Sequence, residues 1–292
     1  VSHTSNAVLI TGCSSGLGRA SALWLADRGF TVFAGVRGAE AVAELGRADA
    51  GDRLRPVELD VTSEESIAQA HKVIGEQIGT GGLLGLVNNA GISVSAPLEC
   101  VPVEELRYQL EVNLIGVAAM IRQFLPQLRA GSGNGSGPSG RIVNVTSGVG
   151  RVALPYMTAY AASQFGKEGL SDALRRELAP QRVSVSVIEP GAIATPIWRK
   201  QAETAARLLE NAPGPVAALY RDRFTEFSKA NAATATGGKT SPVDVARAIE
   251  HALTARRPRT RYRVGRDVAL GSLAARLLPD RLLDLALTRS LS

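Results

Sequence analysis

The residues best suited to chemistry lie near the start of the chain, where Ala7-Val8-Leu9-Ile10 runs into Thr11-Gly12-Cys13-Ser14-Ser15-Gly16-Leu17-Gly18-Arg19 and helical periodicity follows. An apolar run, a glycine-rich turn and a helix, in that order, predict a cradle for a doubly phosphorylated ligand. Gly12 turns the chain sharply, Gly16 lets the backbone approach a pyrophosphate, and Gly18 lets the helix pack on the strand. The freed amides around Ser14, Ser15 and Leu17, at the positive end of the helix, then face the phosphates.

Further motifs follow in the chain. Asp60-Val61 comes after the third apolar run, and Asn88-Asn89-Ala90-Gly91 after the fourth. Asn113 sits in a helical Glu-Val-Asn-Leu, Ser147 ends Asn144-Val145-Thr146-Ser147, Tyr160 opens a long helix, and Glu189-Pro190-Gly191 is followed by Thr195. Taken singly, several have plain explanations: Gly91 as a strand terminator, Asn113 as a partner of nearby backbone, Pro190-Gly191 as a turn. Taken together and in order, from residue 7 to about residue 265, they resemble the short-chain dehydrogenase/reductase superfamily. The stretches Glu189 to Trp198 and Gln164 to Leu170 look like its hydroxysteroid and retinol dehydrogenase branch. The resemblance implies a nicotinamide coenzyme, with Asn88, Ala90 and Gly91 beside it, Asp60 and Val61 at the adenine, and Pro190, Gly191 and Thr195 at the carboxamide. It also implies a catalytic set of Asn113, Ser147 and Tyr160, the serine orienting a carbonyl or alcohol and the tyrosine exchanging its proton.

The second apolar run ends in Ala34-Gly35-Val36-Arg37 and carries no acidic residue to accept the ribose hydroxyls of NAD. Arg37 with the hydroxyls of Ser14 and Ser15 suits a 2′-phosphate, so NADP is expected over NAD. The plainer alternative is that Arg37 ends the strand in solvent.

A tyrosine with a pKa near 10 is a poor base at neutral pH. The family places a lysine four residues later, whose charge favours the phenolate and whose ammonium binds the nicotinamide ribose. Here that position is Gln164, which hydrogen-bonds but brings no charge. Lys167 shares the face: at 100° per residue it lies about 20° from Tyr160 and Gln164 about 40° from it. Its helical side chain leans back toward the N-terminus, although a surface position is the ordinary expectation for a lysine. Three readings stay open. The first is an NADP-dependent oxidoreductase with altered proton handling, acting on an apolar secondary alcohol or ketone. The second is a coenzyme-binding member with a non-redox reaction, such as isomerisation or cyclisation, or with ligand binding alone. The third takes Gln164 as introduced to trap an inactive complex.

These residues need a scaffold, and the pattern predicts an α/β fold: one doubly wound parallel sheet flanked by helices. Strands are expected near 7–11, 31–36, 54–58, 84–88, 141–146, 183–188 and 262–264, and helices over 17–28, 63–78, 103–128, 159–178 and 242–255. Ala130 to Gly140 reads as a flexible connection. Residues 196–240 read as an inserted substrate lid with helical pieces at 204–211 and 215–228. Val94, Val149, Val152, Leu154, Met157 and Trp198 are candidates for an apolar pocket. The tail, 268–292, carries Leu273, Leu277, Leu282, Leu283, Leu285 and Leu287 as an apolar stripe broken at Pro279, expected to pack on the body or on another subunit. Its mixed charges argue against a membrane-surface role.

Hydrophobic residues make up 45% of the 292 and aromatics only 4%, so the core is aliphatic, as buried parallel strands require, and the whole chain reads as a single domain. The net charge of +6 owes much to Arg256, Arg257, Arg259, Arg261, Arg263 and Arg266, read as a solvated face because no nucleic-acid motif accompanies it. Cys13 and Cys100 form no disulfide or metal pattern, so no metal is expected. With no signal-like segment at Val1 to Asn6, a cytoplasmic location is the expectation. By the resemblance, pairing through the two long helices gives a homodimer or homotetramer.

Overall fold

The computed structural model of the chain describes residues 6–47, 51–131 and 140–289. Seven strands, β1 (Ala7–Thr11), β2 (Thr31–Val36), β3 (Leu54–Glu58), β4 (Gly85–Asn88), β5 (Arg141–Val145), β6 (Ser184–Pro190) and β7 (Arg261–Val264), form one parallel sheet. Their order is β3-β2-β1-β4-β5-β6-β7, so the order reverses between β1 and β4. Alternation along each strand splits the core in two. Val8 and Ile10 of β1 face one layer, closed by helices α1 (Gly16–Asp27) and, late in the chain, α9 (Pro242–Thr254). Ala7 and Leu9 face the other, closed by α3 (Glu64–Ile78) and α5 (Gly116–Ala130). The remaining helices are α2 (Ala39–Gly46), α4 (Val103–Leu110), α6 (Thr158–Glu177), α7 (Ile197–Asn211), α8 (Gly214–Gly237), α10 (Arg266–Leu277) and α11 (Asp280–Arg289).

Local chemistry sets several boundaries. Ser63 caps α3 by accepting from the Ser66 amide at 3.1 Å, with Glu64 and Glu65 in the first turn. Ser241 and Asp244 form a capping box ahead of α9, with Pro242 in its first turn. Four expectations are corrected. The helix expected over 103–128 is interrupted by a π-turn, Glu111–Ile115, between α4 and α5. A helix absent from the sequence reading, α2, follows β2; only Leu45 of it is buried, so its periodic signal is weak. In the insertion, α7 begins at Ile197 and α8 runs to Gly237, both longer than expected. The leucine stripe packs on the body only in part: Leu273, Leu277, Leu282 and Leu285 are exposed, because α10 turns Val268 and Ser272 inward, whereas Leu287 lines a cavity of the body. Of the connection expected at 130–140, residues 132–139 lie outside the described residues, as do 1–5 and 290–292.

Candidate active site

A cavity of about 500 Å³ opens over the carboxyl ends of β1 and β4, at the reversal of strand order where α/β sheets bind ligands. Gly12, Ser14, Ser15, Gly16, Leu17 and Gly18 line it from one side. Gly12 has φ +72°, and a Cβ there would meet the Ala90 Cα at 2.7 Å. At Gly18 a Cβ would collide with the Gly12 carbonyl and the Asn89 amide. No side chain caps α1, so its first-turn amides have no intrahelical acceptor and face the cavity. Burial pushes the Cys13 thiol far above its ordinary value, which leaves it inert.

The opposite side holds Asp60, Val61, Ala90 and Gly91, with Arg37 at the end of β2. Arg37 is exposed and its Nη1 donates to the Tyr108 hydroxyl of α4 at 3.3 Å. Asp60 accepts from the Thr62 amide and hydroxyl at 2.9 and 2.7 Å, fixing the turn after β3. Asn88 is placed elsewhere. It is buried in the sheet, donating to Asn144 Oδ1 at 2.9 Å, and does not line the cavity. Its neighbour Asn89, which sequence reasoning passed over, stands there instead. Asn89 donates to the Thr11 and Gly12 carbonyls at 2.9 and 3.2 Å and so stitches β4 to the glycine turn.

A second cavity of about 640 Å³ adjoins the first. Ser147, Val149, Val152, Leu154, Met157 and Trp198 line it, together with Pro190 and Gly191. Val94 packs instead with Ala96, Ala159 and Leu208 and borders the first cavity. Thr195 and Tyr160 border both cavities. Val268, Gly271 and Ser272 of α10 and Leu287 of α11 close a further wall.

Tyr160 opens α6 at the junction. Burial pushes its hydroxyl above the ordinary phenol value, and hydrogen bonds from the Ser147 and Gln164 side chains pull it back in part. Gln164 is 3% exposed, lines the first cavity, and its Oε1 is buried with no hydrogen-bond partner. Lys167, which the ordinary expectation put at the surface, is 1% exposed and lines the same cavity. Its Nζ donates to the Val145 carbonyl at 3.1 Å, and burial lowers its pKa to about 8. Asn113, in the π-turn, is fully buried and borders the cavity. Its side chain accepts from the Ile92 amide and donates to the Ile92 carbonyl, both at 2.9 Å, so it braces the segment that follows Gly91.

An ion network supports this floor. Thr146 donates to Glu168 at 2.8 Å. Arg261 meets Glu168 and Asp172 at 2.9 Å and Glu189 at 3.2 Å, while Arg263 meets Glu189 at 3.2 Å. Arg261 thus belongs to a largely buried network and not to the solvated face expected for its cluster. Among the described residues no group of three or more His, Cys, Asp or Glu side chains is placed to hold a metal, and no helix is long and apolar enough to cross a membrane.

A doubly wound sheet with a glycine turn at its switch point, and a serine and tyrosine beside it, defines a dinucleotide-binding α/β protein. Comparison makes this specific: residues 6–206 match the short chain dehydrogenase family, and the chain belongs to that family of oxidoreductases. A 3-amino-tetrahydro-pyrrolizinone reductase of Xenorhabdus hominickii is 39% identical over 275 residues, covering 94% of this chain and 92% of that one. The 17-beta-hydroxysteroid dehydrogenase type 6 of Bos taurus is 39% identical over 295 residues, covering 99% and 90%. A short chain dehydrogenase from Burkholderia cenocepacia, solved in complex with NADP, superposes with a TM-score of 0.70 at 28% identity, covering 98% of this chain and 97% of that one. A short chain dehydrogenase/reductase from Burkholderia phymatum, solved in complex with NAD, superposes with a TM-score of 0.76 at 25% identity, covering 99% and 96%.

Proposed function

We propose that the chain is an NADP(H)-dependent oxidoreductase that interconverts an apolar ketone and its secondary alcohol, with Tyr160 as the proton-transferring group. The observation that carries this is the position of Tyr160, which borders both the glycine-lined cavity and the largely apolar one. The amides of the first turn of α1 suit the pyrophosphate, and Arg37 with Ser14 and Ser15 suits a 2′-phosphate. When bound, the coenzyme supplies or accepts the hydride. Ser147 holds the substrate oxygen, and the Tyr160 hydroxyl gives its proton to that oxygen in reduction or, as phenolate, takes one in oxidation. Val149, Val152, Leu154, Met157 and Trp198 favour an apolar body on the substrate.

Residues 196–240 act as the lid of one coenzyme-binding unit. Leu208 of α7 packs on Val94 and Ala159, and Phe224 and Phe227 of α8 on Met157, beside both cavities. Exposed Ile115 and Phe165, at the start of α5 and on α6, support pairing of two copies along these helices. NADPH consumption with a panel of cyclic and steroid-like ketones tests the assignment. Turnover with NADPH well above that with NADH is expected. Tight coenzyme binding without consumption on any ketone moves the chain to a non-redox role.

A further inference from the structure

Gln201 stands where an apolar residue is the ordinary choice. The inward face of α7 is formed by Gln201, Ala205 and Leu208, spaced i, i+4 and i+7. Two of the three pack as such a face does: Leu208 on Val94 and Ala159, and Ala205 with Met157, Phe224 and Phe227. Gln201 is 7% exposed, yet among the described residues its amide has no hydrogen-bond partner. Burying an unpaired amide costs free energy that an apolar side chain of the same size would not, so such a group persists where its partner arrives with a ligand.

The lining of the two cavities places that ligand. Gln201 and Ile197, one turn before it, line both. On one side of them Lys200 and Thr204 line the glycine-lined cavity alone, and on the other Trp198 lines the apolar cavity alone. The amide therefore sits on the ridge of the lid where the cavities meet, and Tyr160 borders the same neck from the body. A second uncommitted group shares it. Ser93 also lines both cavities, and its Oγ has no hydrogen-bond partner among the described residues. The backbone on either side of Ser93 is fixed, because the Ile92 amide donates to Asn113 Oδ1 at 2.9 Å and the Val94 amide to Gln109 Oε1 at 2.8 Å. By contrast, the Thr146 hydroxyl at this neck is committed to Glu168 and the Ile188 carbonyl.

We propose that Gln201 determines specificity: its amide, with the Ser93 hydroxyl, takes a second, uncharged oxygen that the substrate carries beside the reacting carbonyl, so the preferred substrate is a diketone or hydroxyketone on an apolar body. The inference rests on the ketone reading above and deepens it. The amide suits either form, since Nε2 donates to a carbonyl and Oε1 accepts from a hydroxyl. The second oxygen lies close to the first because both are held at the neck that Tyr160 borders. It is uncharged because, among the described residues, the wall of the apolar cavity carries no Lys, Arg or His. The one acid in that wall, Asp267, already accepts from the Ala192 amide at 3.0 Å. A carboxylate there would be buried without a counter-charge.

The test uses the full chain loaded with NADP+, with which a ketone forms a complex that cannot turn over. Camphor and camphorquinone share one rigid apolar body and differ by a second carbonyl beside the first. Calorimetry is expected to show wild type binding camphorquinone about five-fold more tightly than camphor. Gln201→Leu, which removes the amide and nearly keeps the volume, is expected to bring the two affinities together while NADP+ affinity holds. The melting temperature of this variant without ligand is expected to match or exceed that of wild type, since an unpaired buried amide has gone, and it serves as the folding control. Equal affinities or no binding in wild type, a preference that survives in Gln201→Leu, or a lower melting temperature overturns the inference. So does a loss of NADP+ affinity in the variant, because the amide would then serve the coenzyme. If wild type prefers camphorquinone but consumes no NADPH with either ketone, the proposed redox function fails and recognition by Gln201 stands.

Discussion

At the scale of single residues, the site separates binding from chemistry. Tyr160→Phe is expected to lower kcat by about 10²-fold or more while leaving NADPH affinity intact, because the hydroxyl is lost and the ring still closes the wall. Ser147→Ala removes the hydroxyl proposed to hold the substrate oxygen and should cost about 10²-fold in kcat, with coenzyme binding again unchanged. Equal losses in coenzyme affinity would show that the fold of the site had moved. Because burial holds the Tyr160 proton more tightly than in a free phenol, reduction retains its acid across neutral pH, whereas oxidation needs the phenolate and must rise toward alkaline pH. Rates measured in both directions against pH check this, and an oxidation rate independent of pH would contradict it. At the far end, Arg37→Ala should weaken NADPH about ten-fold or more and leave NADH unaffected.

At the scale of elements, the glycine turn is held by contact as much as by conformation. Gly18→Ala pushes the Gly12 carbonyl and Asn89 apart, and overpacking of this kind costs roughly 1–3 kcal/mol together with coenzyme affinity. Thermal melts with and without NADPH measure both effects. The strands and most helices could be read from the chain because apolar runs such as Ala7–Thr11 and cap residues such as Ser63 and Ser241 act locally. What escaped depends on tertiary arrangement. Successive residues at a strand end face opposite ways, so whether Asn88 or Asn89 meets the cavity depends on how β4 docks beside β1, which the Asn-Asn pair does not reveal. The π-turn adds one residue to a helical run without disturbing its apolar stripe, so only the backbone shows it. The burial of Lys167 could not be read either, since 20° around a helix axis does not say how deep that face lies.

For the whole molecule, stability is tied to the charges beneath the site. Arg261 pairs with Glu168, Asp172 and Glu189 at once, so Arg261→Met leaves the buried Glu168 without an ion partner and should cost about 3–5 kcal/mol in denaturant unfolding. Despite some burial, hydrogen bonds from Arg261 and Arg175 hold the Asp172 carboxyl down to about 2. Its contribution is complete above the unfolded carboxylate value and disappears as pH falls through that folded value. Lys167 runs the other way: its folded value of about 8 lies below the ordinary 10.5, so between those limits the unfolded chain binds more protons. Wild type should therefore gain stability relative to Lys167→Met as pH climbs through that window, and parallel unfolding curves would refute it.

The tail has a different significance. Val268, Gly271, Ser272 and Leu287 come after the last strand of the sheet, yet they enclose one side of the chamber proposed to receive the substrate. That partition is tied to the segment after β6 through Asp267, which accepts from the Ala192 amide at 3.0 Å, so with this contact kept it can be exchanged for a longer, shorter or differently shaped one. Substrate preference on this scaffold is thereby free to drift at the end of the chain, while the hydride chemistry stays anchored at its beginning.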